Sequence, residues 1–314
     1  MILKKSLAVL SVVGLLMNGC GSSSSTEEAV SEKSISLDFK AIVGDQGALL
    51  CSESNGNAKV YNNLGTSLAS GTINDFRFFV SEVKLKMSDN TTQTLMLTNN
   101  DNQYYSETNG SVAILDFEDG TGDCVNRGND ASTYTSIVGK INSNATVTGV
   151  EFTVGVPFAL NHVEFSDIPA LNKTSMSWSW ASGRKFTKFE INPSDANNST
   201  GDIFNFHLGS TGCSDADANG ITDACTQPNR IALSFDNFDP ATNKVVVDYS
   251  KLLTYVDITK NLGGAKGCMS ALDDPECMAS TGEMFNLVGL DDTSKEGKCL
   301  DASCTENQEL FSVE

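Results

Sequence analysis

A disulfide-stapled, all-β sandwich is the fold class this sequence predicts, and three observations predict it. Short apolar runs recur between gaps crowded with Asn, Gly, Ser, Asp and Thr. The N-terminus carries an export signal. Of nine cysteines, all but Cys20 lie beyond that signal, an even set suited to disulfides in an oxidising compartment.

The export signal comes first in chain order. Lys4 and Lys5 precede an apolar run from Leu7 to Met17, and Gly19-Cys20 follows at once. As a helix this run spans about 16 Å, against roughly 30 Å of bilayer hydrocarbon, so it reads as a signal peptide and not an anchor helix. Leu16-Met17-Asn18-Gly19-Cys20 has the form of a bacterial lipobox, with a small residue before the cysteine that would be lipidated and become residue one. Gly21 to Lys33 is rich in Ser and Glu and offers little to bury, as a flexible tether would. The expected organisation is a signal peptide over 1–20, a tether over 21–33 and one β-sandwich domain over 34–314. The expected location is the cell envelope, reached through the lipid anchor alone.

Strands are expected over Ile35–Val43, Asp75–Met87, Val112–Phe117, Thr146–Phe158, Met176–Trp180, Lys185–Ile191, Ile203–Leu208, Ile231–Phe235 and Lys244–Val247. One or two short helices are expected near the C-terminus. Ser250 can cap a helix over Lys251–Asn261 whose apolar face is Leu252, Leu253 and Val256, with Gly263-Gly264 as its stop. A second can lie near Glu283–Val288. The spacings of Cys213 with Cys225, Cys268 with Cys277 and Cys299 with Cys304 suggest three local bridges, which leaves Cys51 with Cys124. No C-x-x-C occurs, which argues against zinc.

Charge excludes one class of function. Lys and Arg number 21 against 40 Asp and Glu, and no basic cluster follows the signal, so nucleic acid is a poor partner. Catalysis has little to stand on either. There is no Gly-x-Ser-x-Gly elbow and no haem-attachment motif, and the carboxylates are scattered, so the chain is not expected to be an enzyme.

One motif points to calcium. Asp215-Ala-Asp217-Ala-Asn219-Gly220-Ile221-Thr-Asp223 sets oxygen ligands at alternate positions, with the carbonyl of Ile221 and a glycine for the sharp turn. Thr226 stands where an EF-hand has its bidentate Glu, so the loop is closer to thrombospondin-type calcium loops, bracketed by Cys213 and Cys225.

Several segments, taken in order, carry a family resemblance. They are Asp75-Phe-Arg-Phe-Phe-Val80, Ala113-Ile-Leu-Asp-Phe-Glu-Asp-Gly-Thr-Gly-Asp-Cys124, Gly155-Val-Pro-Phe-Ala-Leu-Asn-His162, Ala170-Leu-Asn172, Met176-Ser-Trp-Ser-Trp180, Gly183-Arg-Lys-Phe186, Phe206-His-Leu-Gly-Ser-Thr-Gly-Cys213, Pro228-Asn229, and Gly267-Cys-Met-Ser270 with Asp274-Pro-Glu-Cys277. In this order the chain resembles the MbnP-like family, the four-cysteine "metallo-mystery pair" proteins related to methanotroph copper proteins of the CorA and MopE kind. Ser177 and Arg184 depart from the aromatic and the tyrosine expected there.

The resemblance implies copper held by His162 and His207 together with kynurenine, made by oxidising Trp178 or Trp180. It also implies a partner, a dihaem MauG-like enzyme of the MbnH type. These residues suit the chemistry. His162 and His207 are the only two histidines, and neutral imidazole is a strong copper ligand. Indole has no ring-plane lone pair to give, whereas kynurenine exposes an aryl amine. The implied role is copper acquisition, storage or delivery. The competing role is a calcium-stabilised surface adhesion or ligand-binding lipoprotein.

Overall fold

Nineteen residues, Ala69–Met87, form the strand on which the fold is built. Ile73, Phe76, Phe78, Phe79, Val80, Val83 and Leu85 are all buried along it, so both of its faces are covered. Aromatic and β-branched side chains fit a pleated surface of this kind. The computed structural model describes residues 30–124, 132–164, 167–179, 183–194, 202–216, 222–271, 273–277, 284–290 and 308–314. Ser31–Glu314 forms one compact unit.

Among the described residues the long strand belongs to a ten-stranded sheet. Its neighbours Gly110–Asp116, Val147–Val154 and Thr187–Ser194 all run antiparallel to it. Beyond Thr187–Ser194 the sheet continues through Phe204–Leu208 to Gly267–Cys268. A second, five-stranded sheet is centred on Glu32–Ile42. That strand pairs antiparallel with Ser136–Asn142 and parallel with Val245–Asp248.

An aromatic core joins the two sheets. Phe76 stacks on Phe189 at 4.0 Å, and Phe78 meets Phe39 and Phe311 edge-on at 6.2 and 5.8 Å. Burying one such ring contributes about 1.5–3 kcal/mol, and truncating it to alanine costs about 3–5 kcal/mol. The all-β expectation therefore matches the structure, including three bridges: Cys51–Cys124, Cys213–Cys225 and Cys268–Cys277.

The helices differ from expectation. The C-terminal helix is one turn, Tyr249–Leu252, capped by Asp248, whose side chain accepts from the Ser250 N–H at 3.0 Å. It stops early because Val256 is claimed by tertiary contact: its carbonyl accepts from the Thr66 N–H at 2.8 Å. Met284–Leu287 forms the second short helix, and Phe158–Asn161 adds one that the apolar pattern had merged with a strand. Met176 closes a 3-10 turn over Thr174–Met176 and is buried, so among the described residues the strand there is Ser177–Ser179.

Candidate metal centre

His207 lies in strand Phe204–Leu208, where alternation sends Phe204, Phe206 and Leu208 to one face and His207 to the other. Its cross-strand neighbour is Lys188, which in turn faces Arg77 on the long strand. One row beside it, Glu190 faces Asp75. Five ionisable side chains thus share the outer face of the sheet, and all are buried.

They are held by pairing, as buried charge must be. Asp75 accepts from Arg77 Nε at 2.8 Å and Nη2 at 2.5 Å, and also from Lys188. Lys188 reaches Glu190 at 3.2 Å, and Glu190 Oε1 lies 2.9 Å from His207 Nε2. At the far end Glu118 Oε1 sits 3.0 Å from Arg77 Nε. That nitrogen gives its one hydrogen to Asp75, so Glu118 approaches it closely without accepting a hydrogen bond from it.

This chain sets the state of His207. Burial would raise the Glu190 carboxyl, but the His207 hydrogen bond and the Lys188 charge outweigh it and hold the value at about 2. An ionised carboxylate only accepts, so His207 Nε2 must carry the proton. Burial pushes the imidazole below its ordinary value, against the pull of Glu190, so the ring is neutral at pH 7. Nδ1 then presents a lone pair. It is buried, with no hydrogen-bond partner among the described residues.

His162 follows the short helix Phe158–Asn161 as its C-terminal cap and is half-buried. The Asn161 side chain fixes its tautomer. Asn161 Oδ1 accepts from the Arg184 N–H at 2.8 Å, which turns its amide nitrogen towards His162 Nε2, 3.2 Å away. An amide nitrogen only donates, so Nε2 is the lone-pair nitrogen. Arg184 is fully buried and donates from Nη1 to the carbonyls of Leu160 and Asn161 at 3.2 and 2.6 Å, tying the helix end down.

Gly183 is required here. Its φ is +75°, and a Cβ would lie 2.5–2.7 Å from the terminal atoms of Asn161. Gly183→Ala should therefore cost at least about 1–2 kcal/mol in backbone strain alone. In a domain of this size that lowers Tm by about 2–8 °C. Thermal melting checks it, and the His162 ring resonances should shift with the displaced Asn161.

Trp178 is placed by its strand partner and by Gly209. Its strand Ser177–Ser179 pairs with Gly183–Arg184, beside Asn161. Its ring sits over Gly209, where a Cβ would come 2.7 Å from Cη2. Gly209 is two residues beyond His207, so in an extended chain its missing side chain belongs to the His207 face. The glycine opens that face to the indole.

Two histidines with defined tautomers, an indole packed on Gly209 and a set of ordered family segments point to one family. The MbnP family model matches residues 32–270. The chain belongs to the MbnP family. Among solved structures, MbnP from Methylosinus trichosporium is similar, with 31% sequence identity and a TM-score of 0.74, covering 90% of this chain and 99% of that one. No curated protein matches the chain.

The MbnP segments now have physical readings. Asp75, Arg77 and Glu118 build the ion chain behind His207, a role the sequence analysis did not assign. The signal was present, since Asp75 and Arg77 alternate with phenylalanines inside an apolar strand. Gly183 and Arg184 orient Asn161 and so His162.

Among the described residues, no group of three or more possible ligand atoms within 4.8 Å of one another contains both histidines. The group found is His162 with Cys213 and Cys225. Trp180, Cys20, Cys299 and Cys304 lie outside the described residues, as do Asp217, Asn219 and Ile221 of the acidic loop. The ends of that loop are drawn together: Asp223 Oδ2 accepts from the Ala216 N–H at 2.7 Å, and the Asp223 N–H donates to Ser214 at 2.8 Å. Asp215 is half-buried at its base.

Proposed function

We propose that this MbnP-family protein is a non-enzymatic copper-binding lipoprotein of the cell envelope, acting in copper acquisition, storage or delivery. Copper would be held by His162, His207 and a kynurenine made from Trp178. One observation carries the reading: the orphaned, buried lone pair of His207 Nδ1, fixed by Glu190 on the opposite nitrogen. A carboxylate behind a histidine is the usual way a protein orients a metal ligand. His162 Nε2 is the unprotonated nitrogen of its ring, accepting from Asn161 Nδ2 where copper would take the lone pair, and imidazole suits copper. Between copper uptake and release, the chain's own work is to keep these two lone pairs aimed and unprotonated.

Trp178 is favoured over Trp180 because its ring occupies the space that Gly209 leaves on the His207 face. The chain has no haem-attachment motif with which to oxidise an indole, so a separate dihaem enzyme of the MbnH type would do so. Protein made alone in a heterologous host should keep both tryptophans and bind copper more weakly. Co-expression with the cognate enzyme should add one Trp-to-kynurenine mass shift on the Trp178 peptide, and Trp178→Phe should remove both the shift and the gain in affinity. Unmodified tryptophans in copper-loaded protein from the native source would overturn the kynurenine and leave the histidines standing.

The acidic loop supports a structural calcium ion as a second, independent site. The convergence of Asp215 and Asp223 at the loop's base favours it. Calcium should raise Tm by mass action on the folded state, by about 2.7 kcal/mol of stability at a hundredfold excess over Kd. Asp217→Ala should abolish the increase and leave copper bound. Melting indifferent to calcium would return the loop to an ordinary acidic turn.

A further inference from the structure

We propose that reduction of the Cys213–Cys225 disulfide opens a second, thiolate-rich copper(I) site that shares His162 with the first. His162 Nε2 lies 3.5 Å from Cys225 Sγ, and the nitrogen and both sulfurs all fall within 4.8 Å of one another. Asn161 Nδ2 donates to that nitrogen and so fixes it as the unprotonated one, whose lone pair copper(I) would take in the amide's place, and the ring is flanked by Phe158 at 5.0 Å. In the oxidised protein the sulfurs are spent on each other. In the reduced protein they are two soft donors beside an imidazole, the ligand set that selects copper(I).

Among the described bridges this is also the one that a thiol can reach. Cys51, Cys124, Cys268 and Cys277 are at most 1% exposed, whereas Cys213 and Cys225 are half-buried. Thiol–disulfide exchange requires in-line access to a sulfur, so attack falls on the Cys213–Cys225 bond first among the described bridges. The two cysteines are directly opposed on a two-stranded ladder, Thr211–Ser214 with Ala224–Gln227, that stands apart from both large sheets. Opening the bond therefore leaves the core untouched. It also leaves the two cysteines directly opposed, with Cα atoms 3.8 Å apart, close enough for one ion to bridge their sulfurs.

The step balances with a dithiol as reductant. Its first thiolate bonds to one cysteine sulfur as the Cys213–Cys225 bond breaks, and its second closes a ring disulfide and frees that sulfur. Two electrons and two protons pass to the bridge, which becomes two thiols, and the dithiol is oxidised by the same two electrons. Copper(I) then displaces both thiol protons to solvent, accepts the His162 Nε2 lone pair and stays copper(I). The site shares His162 with the proposed copper centre but does not involve His207.

The test uses the full mature chain, anaerobic, with dithiothreitol as the dithiol and copper(I) supplied on a weak chelator. Mass spectrometry after alkylation should find Cys213 and Cys225 reduced first, and copper(I) should protect both from alkylation. X-ray absorption should show sulfur and nitrogen around the ion, and His162→Ala should remove the nitrogen, leaving sulfur alone. His207→Ala should weaken copper binding in the oxidised protein and leave the protection intact, which separates this site from the first. Full alkylation in the presence of copper(I), prior reduction of a buried bridge, or an X-ray spectrum unchanged by His162→Ala would each overturn the proposal. So would protection that fails in His207→Ala.

Discussion

The His162→Ala/His207→Ala double variant should lose tight copper binding in the oxidised protein, where the wild type should hold about one equivalent per chain. The chain has no other imidazole to compensate. Removing an outer partner of a metal ligand typically costs about 10–100-fold in affinity, and removing both ligands should exceed that range. His207 is the more instructive single change. Its ring is 5% exposed and its Nε2 is engaged by Glu190, so His207→Ala deletes the buried donor and strands an ionised carboxylate. Thermal melting should therefore be run beside elemental analysis, so that loss of ligand is read in folded protein. Full copper retention in the folded double variant would remove the histidines from the site.

The stability of the fold should decline as pH rises from about 6 towards 9, and Glu118→Gln should flatten that slope. Burial pushes the Glu118 carboxyl up from 4.5 to about 9, helped by the charge of Asp75 and opposed by that of Arg77. Between those values the folded chain keeps a proton that the unfolded chain has released. The contribution of this group is thus complete below about pH 4.5 and is lost as pH rises through about 9. Each pH unit inside the window weakens the fold by at most about 1.4 kcal/mol, so the whole effect is at most on the order of 5 kcal/mol. Asp274, raised by burial to about 6, adds a slope of the same sign on the acidic side, which is why the comparison belongs above that value. Glutamine keeps the shape and neutrality of the protonated acid, so the variant should fold. Parallel pH profiles for the two proteins would show that Glu118 ionises freely in the folded state.

A neutral Glu118 also explains how five charged or chargeable groups coexist behind His207. Asp75 and Glu190 then balance Arg77 and Lys188, and the neutral imidazole ends the chain. Pairs of this kind confer little net stability, yet breaking one costs about 3–5 kcal/mol because its partner is left buried and unpaired. Their arrangement holds Glu190, and through it the tautomer of His207.

Much of this was legible in the sequence, for identifiable reasons. Strand runs such as Asp75–Met87 and Lys185–Ile191 carry their own apolar pattern, and the even cysteine set announces a bridged fold. His162, His207, Trp178 and Trp180 stood out through scarcity and through ordered segments. What was hidden is set by contacts distant in sequence. Residue pattern alone could not show that Asp75 and Glu190 become neighbours across a ladder, or that Asn161 turns on the backbone of Arg184. The helix at Tyr249–Leu252 was over-extended for the same reason: Leu253, Val256 and Ile258 keep an apolar period while packing as irregular turns. Gly183 and Gly209 matter because of neighbours distant in sequence, Asn161 and Trp178, that no residue pattern places.

X-ray absorption at the copper edge, on oxidised protein loaded to one equivalent, tests the central claim most directly. The expected spectrum shows scattering from two imidazoles with nitrogen or oxygen as the remaining near neighbour and no sulfur, and the imidazole signature should disappear in the double variant. Copper bound without imidazole scattering, or with a spectrum the double variant leaves unchanged, would contradict it.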